Sequence, residues 1–150
     1  MAKPDPRLLD PARYPARVEI MTRFQDLDSN HHINNVATAA MFEDVRVRFD
    51  WGIGLRDIFH AEGKNAMVVS IGLEYLAEAF YPAPIIAYAG GLSIGGTSWS
   101  VGAILTQGGT VSAFSRATIV GVKDGRPTPL PEQFRAALRE NMIRLEDPDE

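Results

Sequence analysis

Residues 26–51 read DLDSNHHINNVATAAMFEDVRVRFDW, and the change of character inside this stretch decides the fold. Residues 26–35 are polar and rich in Asp and Asn, the composition of a loop that ends at a helix cap. From residue 33 to about 51 the apolar residues recur at helical spacing. Ile33, Val36, Ala37, Ala40 and Met41 share one face, Val45 and Phe49 drift round it, and Gly52 is placed to stop the helix. Between Ile33 and Phe42 only Asn34, Asn35 and Thr38 are polar. A helix with so little solvent face is expected to be nearly surrounded by protein.

The flanking sequence supplies the surround. Upstream, Val18, Ile20, Thr22 and Phe24 alternate with polar neighbours, the period of a strand with one buried face. Downstream, Val69, Ile71, Leu73 and Tyr75 give a second strand, and further runs follow at 84–94, 98–107 and 110–123. Gly95-Gly96 and Gly108-Gly109 separate the last three as hairpin turns, so these strands are expected to be consecutive and antiparallel. Pro131 opens a short C-terminal helix with Leu130, Phe134, Ala137 and Leu138 on one side. The order is β-α-β-β-β-β and then a helix. This is an α+β fold in which one antiparallel sheet curls round a central helix, each covering the apolar face of the other.

With 150 residues, 45% of them hydrophobic, the chain has the size of one domain with a substantial core. Residues 17–144 are assigned to it. Residues 1–16, with Pro4, Pro6, Pro11 and Pro15, cannot form a continuous helix and are expected to make an extended arm, while 145–150 form an acidic, solvated tail. No cysteine is present, which excludes disulfides, thiolate metal sites and cysteine nucleophiles. The net charge of −4 gives no general attraction to nucleic acid or anionic lipid. No run approaches the roughly 18 apolar residues of a membrane span and the N-terminus lacks a signal-like apolar core, so a cytoplasmic location is expected.

The run Asp28, three residues, His32-Ile33-Asn34-Asn35, followed on the helix by Phe42-Glu43-x-x-Arg46, resembles the hotdog-fold acyl-CoA thioesterases of the 4-hydroxybenzoyl-CoA thioesterase-like group. Asp28, Asn30 and His32 also match the Asp-x-Asn-x-His of the plant acyl-carrier-protein thioesterases, and Gly96-Thr97-Ser98 and Pro129-Leu130-Pro131-x-x-x-Arg135 are similar to the family's later segments. Two positions depart from the pattern: His31 stands where many members have glycine, and Thr38 where a tyrosine is usual. The resemblance implies hydrolysis of an acyl thioester to a carboxylic acid and free CoA, with no cofactor and no metal. It also implies a homodimer or homotetramer with a continuous sheet and sites at the subunit interface.

The chemistry asked of such a site is a polarised carbonyl and an attacking oxygen. A helix N-terminus offers unpaired N–H groups and positive potential, and by resemblance the polarising N–H falls near Asn35. Asp28 is then the base that activates water or the nucleophile that forms an anhydride. His32 orients Asp28 or the water, Asn30 positions water or carbonyl, and Asn34 and Asn35 line the substrate. Thr97 and Ser98 are weaker binding candidates, and Glu43 either supports the site, meets another subunit or pairs with Arg46 at i,i+3. Lys64, Arg116, Lys123 and Arg126 are available for the CoA phosphates, none assignable. Asp28, Asn30 and Asn34 are also ordinary turn and capping residues, and the adjacent pair His31-His32 lacks the spacing of a metal site. Two rivals remain. A hotdog hydratase or dehydratase acting on acyl thioesters is disfavoured because His32 comes one residue early for its motif, and a non-catalytic acyl-thioester-binding protein would not need Asp28.

Overall fold

A computed structural model describes residues 3–147. Strand β1 (Ala16–Ile20) leads through a loop to helix α1 (Asn35–Gly52). A short helix α2 (Leu55–Ala61) follows, then strands β2 (Asn65–Tyr75), β3 (Ile85–Ile94), β4 (Ser98–Gln107), β5 (Thr110–Lys123) and the two-residue β6 (Arg126–Pro127), and finally helix α3 (Glu132–Arg139). The strands form one antiparallel sheet in the order β1-β3-β4-β5-β2, with β6 paired to β5. The hairpin expectation holds: Gly108 and Gly109 have φ of 58° and 81°, the left-handed pair that a two-residue turn requires and that glycine adopts without steric cost.

The inner face of the sheet packs on α1. Ala37, Met41, Phe42, Val45 and Phe49 meet Ile85, Ala87, Ala89, Val101, Leu105 and Ile119 in the main core. At the far end of α1 the rings of Phe59, Trp99 and Phe134 meet edge to face, with centroids 4.8 to 5.7 Å apart, and close the core under α2 and α3. No helix among the described residues is long and apolar enough to cross a membrane.

Four expectations need correction. Strand β1 stops at Ile20, and Phe24, expected on its buried face, is 73% exposed in a single 3-10 turn. Strand β2 is longer than its alternation predicts, and its apolar side is uncovered: among the described residues it pairs only with β5, and Met67, Val69 and Ile71 are 54 to 57% exposed. Helix α1 is not surrounded. The sheet covers one side, and Val36, Ala40 and Glu43 on the other are exposed.

The proline-rich arm is not extended either. Pro6 and Pro11 each start a 3-10 turn, Pro6–Leu9 and Pro11–Arg13, where the missing N–H costs nothing. These turns fold back on the outer face of the sheet, where Leu8 and Tyr14 join Ile104, Phe114 and Ile143 in a second small core. The close approach depends on glycine: a Cβ at Gly90 would stand 2.6 Å from Pro15 and 2.8 Å from Ile143. Arg7 donates to the carbonyl of Leu145, and Arg13 pairs with Asp147 at 2.7 Å, so these two segments are fastened together. Residues 148–150 of the acidic tail lie outside the described residues.

Candidate active site

The loop between β1 and α1 is tied to itself before it is tied to anything else. Asp26, almost fully buried, accepts from the backbone N–H and guanidinium of Arg23, and its own carbonyl accepts from Asn34 N–H. Two residues on, Oδ1 of Asp28 accepts from the N–H groups of Asn30 (2.8 Å) and His32 (3.1 Å). The backbone of Asp28 exchanges bonds with His32 and His31. Both N–H groups fall on one carboxylate oxygen, and among the described residues Oδ2 of Asp28 has no partner.

This tight wrapping forces His31 into the left-handed region, φ 63°. The glycine usual at this position of the resembled family thus has a backbone reason, since a side chain there costs about 1–2 kcal/mol. His31 is exposed. Its replacement by glycine is expected to raise stability by about 0.5–1 kcal/mol once the extra freedom of the unfolded glycine chain is subtracted. Urea unfolding of the two proteins checks this.

Helix α1 then starts on its cap. Oδ1 of Asn34 accepts from Ala37 N–H at 2.7 Å, and the carbonyl of Asn34 accepts from both the N–H and the hydroxyl of Thr38. The N–H groups of Asn35 and Val36 stand ahead of any intrahelical acceptor. Thr38, in place of the tyrosine usual in the resembled family, turns its hydroxyl back onto the helix and leaves only a small, buried side chain there.

That end of α1 opens onto a cleft of ≈ 370 Å³, whose walls include Asp28, His32, Asn35 and Thr38 on one side and Tyr75, Glu78, Ala79, Ser112 and Ala113 on the other. The second wall is the end of β2 and the chain just after it. Leu76 and Ala77 donate to the carbonyl of Ser112, and the carbonyl of Ala79 accepts from Ile33 N–H, which stitches this segment to both β5 and the loop. Gln107 holds the next residues, its amide bonding Phe80 on both backbone groups. Nothing in the period of residues 76–84 marks them as a wall, because their role comes from backbone bonds rather than from side-chain pattern.

The structure brings Asp28, His32 and Asn35 together at this cleft. His32 acts on Asp28 through its backbone N–H, while its ring turns to Glu78 (Nε2 to Oε2, 3.2 Å) and stands edge-on to Phe80 at 5.3 Å. No hydrogen bond among the described residues joins the His32 ring to the Asp28 carboxylate. Asn30 likewise contributes its N–H; its side chain is exposed and is not part of the wall. Asn34 serves as the cap. Glu43 is exposed two turns along α1, with no ion pair to Arg46 among the described residues. Thr97 and Ser98 stand at the other end of the sheet: Ser98 is level with Val120 on β5, while the cleft is level with Ala113, roughly 23 Å away along the strand.

A titratable group outside the motif joins the picture at the far end of α1. Asp50, 3% exposed, accepts a hydrogen bond from the indole N–H of Trp99 at 3.3 Å. Removal from water pushes its carboxyl up to about 7, against the opposing influence of the Trp99 bond and of Arg46. No periodicity or motif singles this residue out in the sequence.

The sequence profile of the thioesterase-like superfamily matches residues 22–138. No curated protein matches the chain. Among solved structures, the PA5185 protein of Pseudomonas aeruginosa PAO1 is 26% identical over 91% of this chain and 97% of its own, with a TM-score of 0.78. A thioesterase from Thermus thermophilus, solved with coenzyme A and zinc, is 27% identical over 85% of this chain and 93% of its own, with a TM-score of 0.75. A predicted thioesterase from Bacillus stearothermophilus is 26% identical over 87% and 98%, with a TM-score of 0.76. The sheet wrapped on α1, the profile match over most of the domain and these likenesses agree: the chain has the hotdog fold and belongs to the thioesterase-like superfamily.

Proposed function

We propose that the protein hydrolyses acyl-CoA thioesters to a carboxylic acid and free CoA. The observation that carries this reading is Oδ2 of Asp28, without a partner among the described residues, at the same cleft as the first N–H groups of α1. With the acyl carbonyl oxygen against Asn35 N–H, negative charge developing there meets a fixed donor and the positive end of the helix. As a base, Asp28 removes a proton from water as the water oxygen bonds to the carbonyl carbon; the tetrahedral adduct then expels the CoA thiolate, which takes up a proton. As a nucleophile, Asp28 bonds the carbon itself, the thiolate leaves, and water opens the resulting anhydride. The cleft supports either course, and the reading asks for no cofactor beyond the CoA of the substrate. The Thermus relative solved with coenzyme A supports the choice of thioester.

The reading includes a homodimer. Strand β2 is an open edge with apolar side chains on it, the kind of edge that pairs with another strand when nothing covers it. A twofold axis normal to the sheet would join two copies of β2 antiparallel, making one continuous sheet and keeping both α1 helices on the same side. Further association into a tetramer would use other surfaces, of which the exposed side of α1 is one.

The test is release of free thiol from a panel of aliphatic and aromatic acyl-CoAs, with molar mass measured by light scattering. Turnover of at least one substrate by a dimer or tetramer is expected. Tight binding of acyl-CoA without thiol release would replace hydrolysis by carriage of the thioester.

A further inference from the structure

The ring of His32 is held from the wall opposite its own loop. Its Nε2 stands 3.2 Å from Oε2 of Glu78, and it meets the ring of Phe80 edge to face with centroids 5.3 Å apart. Both of these partners are themselves fixed through the backbone. Ala77 N–H donates to the Ser112 carbonyl and the Ala79 carbonyl accepts from Ile33 N–H, so Glu78 lies between two anchored neighbours. Gln107 clamps Phe80 on both of its backbone groups. The side chain of Glu78 is 63% exposed and that of His32 30%, so the pair contributes little to stability. What it contributes is a defined position for an imidazole at the cleft that also holds Asp28 and Asn35.

A carboxylate oxygen only accepts, so the contact with Glu78 places a hydrogen on Nε2 of His32. Nδ1 is then the ring nitrogen that gains and loses a proton, the arrangement that a carboxylate imposes on the imidazole of a hydrolytic triad. Among the described residues Nδ1 has no hydrogen-bond partner, and no bond joins the ring to Asp28. Asp28 is thus left to attack, directly or through water, and a second proton has still to be moved. An alkyl thiolate is a poor leaving group unless it is protonated as it departs. An acyl carbon held between Oδ2 of Asp28 and Asn35 N–H carries its sulphur one bond away, in the same cleft as the imidazole.

Resting on the thioesterase reading above, we infer that Glu78 is a positioning residue: through Nε2 it holds the His32 ring so that Nδ1 hands a proton to the departing CoA sulphur. As the C–S bond breaks, its electron pair goes to sulphur, the Nδ1–H bond breaks and an S–H bond forms. The imidazole then recovers a proton that came from water. In the anhydride course the water that opens the anhydride gives it directly, and in the base course it is the water proton that Asp28 has taken. Nothing is oxidised or reduced, and the products are the carboxylic acid, the thiol and the regenerated site.

The experiment compares one acyl group carried on CoA and on thiophenol, whose thiolate leaves without needing a proton. On the acyl-CoA, His32→Ala is expected to lower kcat by about 10²-fold and Glu78→Gln by about tenfold, with KM nearly unchanged, the scale of a lost and of a misdirected proton donor. On the thiophenol ester both variants should run close to wild type, whereas Asp28→Asn should lose activity on both substrates. A second readout needs the acyl-CoA alone: added imidazole supplies the missing donor and should raise the rate of His32→Ala to a plateau, leaving Asp28→Asn unmoved. The loop survives the truncation, since Asp28 takes the backbone N–H of His32 and not its ring. Equal losses on the two esters, or no response of His32→Ala to imidazole, overturn the proton transfer. Full activity of Glu78→Gln on the acyl-CoA overturns the positioning by Glu78. Failure of wild type to hydrolyse any acyl-CoA overturns the thioesterase reading and this inference with it.

Discussion

Asp28→Asn is expected to lower the rate of thiol release by about 10²-fold or more while leaving the protein folded, the scale set by loss of a positioned base or nucleophile. The substitution is unusually clean because the two functions of this side chain fall on different oxygens. Oδ1 carries the loop, accepting from Asn30 and His32, and an asparagine Oδ1 accepts the same two bonds. Oδ2, without a partner among the described residues, is the atom replaced by an amide that neither takes a proton nor attacks a carbonyl. The thermal midpoint should therefore stay close to that of wild type while the initial rate collapses. Equal rates for the two proteins would remove Asp28 from the chemistry. Single-turnover hydrolysis in ¹⁸O-labelled water separates the two routes, since only an anhydride can leave label in the Asp28 carboxylate.

The second large effect is on stability and lies at the opposite end of α1. Asp50 in the folded chain holds its proton up to about pH 7, against 3.8 for a free aspartate, because burial disfavours the charged form. The folded state thus binds one more proton than the unfolded state between these values, and stability falls as pH rises through that window. At about 1.4 kcal/mol for each pH unit, the loss approaches about 4 kcal/mol by pH 8, a large fraction of the stability of a domain this size. Asp50→Asn keeps an oxygen for the Trp99 indole and has no charge to bury. The variant should match wild type near pH 4 and exceed it by a few kcal/mol at pH 8 in urea unfolding. Parallel loss of stability in both proteins over this range would assign the pH dependence to other groups.

How much of this is legible in the sequence depends on what kind of force made each part. The three hairpin-linked strands and α1 are legible because period and glycine pairs report local geometry, and the observed β4 and β5 coincide with the expected runs. Helix α2 is not, since residues 55–61 are too few to establish a period and their place depends on Phe59 reaching Trp99 and Phe134. The apolar content of β2 and of the early turns of α1 marks surface that needs cover, but the same chain does not supply it. Composition records that a face is apolar without saying which molecule meets it.

The site divides in the same way. Asp28, His32 and Asn35 share a stretch of chain short enough for the motif to place them. The opposite wall, Tyr75 to Ala79 with Ser112, is assembled by backbone bonds between segments more than 30 residues apart in sequence. Thr97 and Ser98, grouped with the site by resemblance, are at the far end of the sheet from the cleft.

The fastening of residues 7–13 to residues 145–147 on the outer face has a practical corollary. With Arg7 bonded to Leu145 and Arg13 to Asp147, the first and last described segments lie side by side on the face turned away from the Asp28 cleft. A glycine-rich linker from the segment after Asp147 to the one before Arg7 should therefore close this domain into a ring, and new ends opened at the Gly108-Gly109 turn would give a circular permutant with the same sheet. The outer face would then be a continuous ribbon of chain, ready to carry a fused domain or a surface anchor without obstructing the cleft.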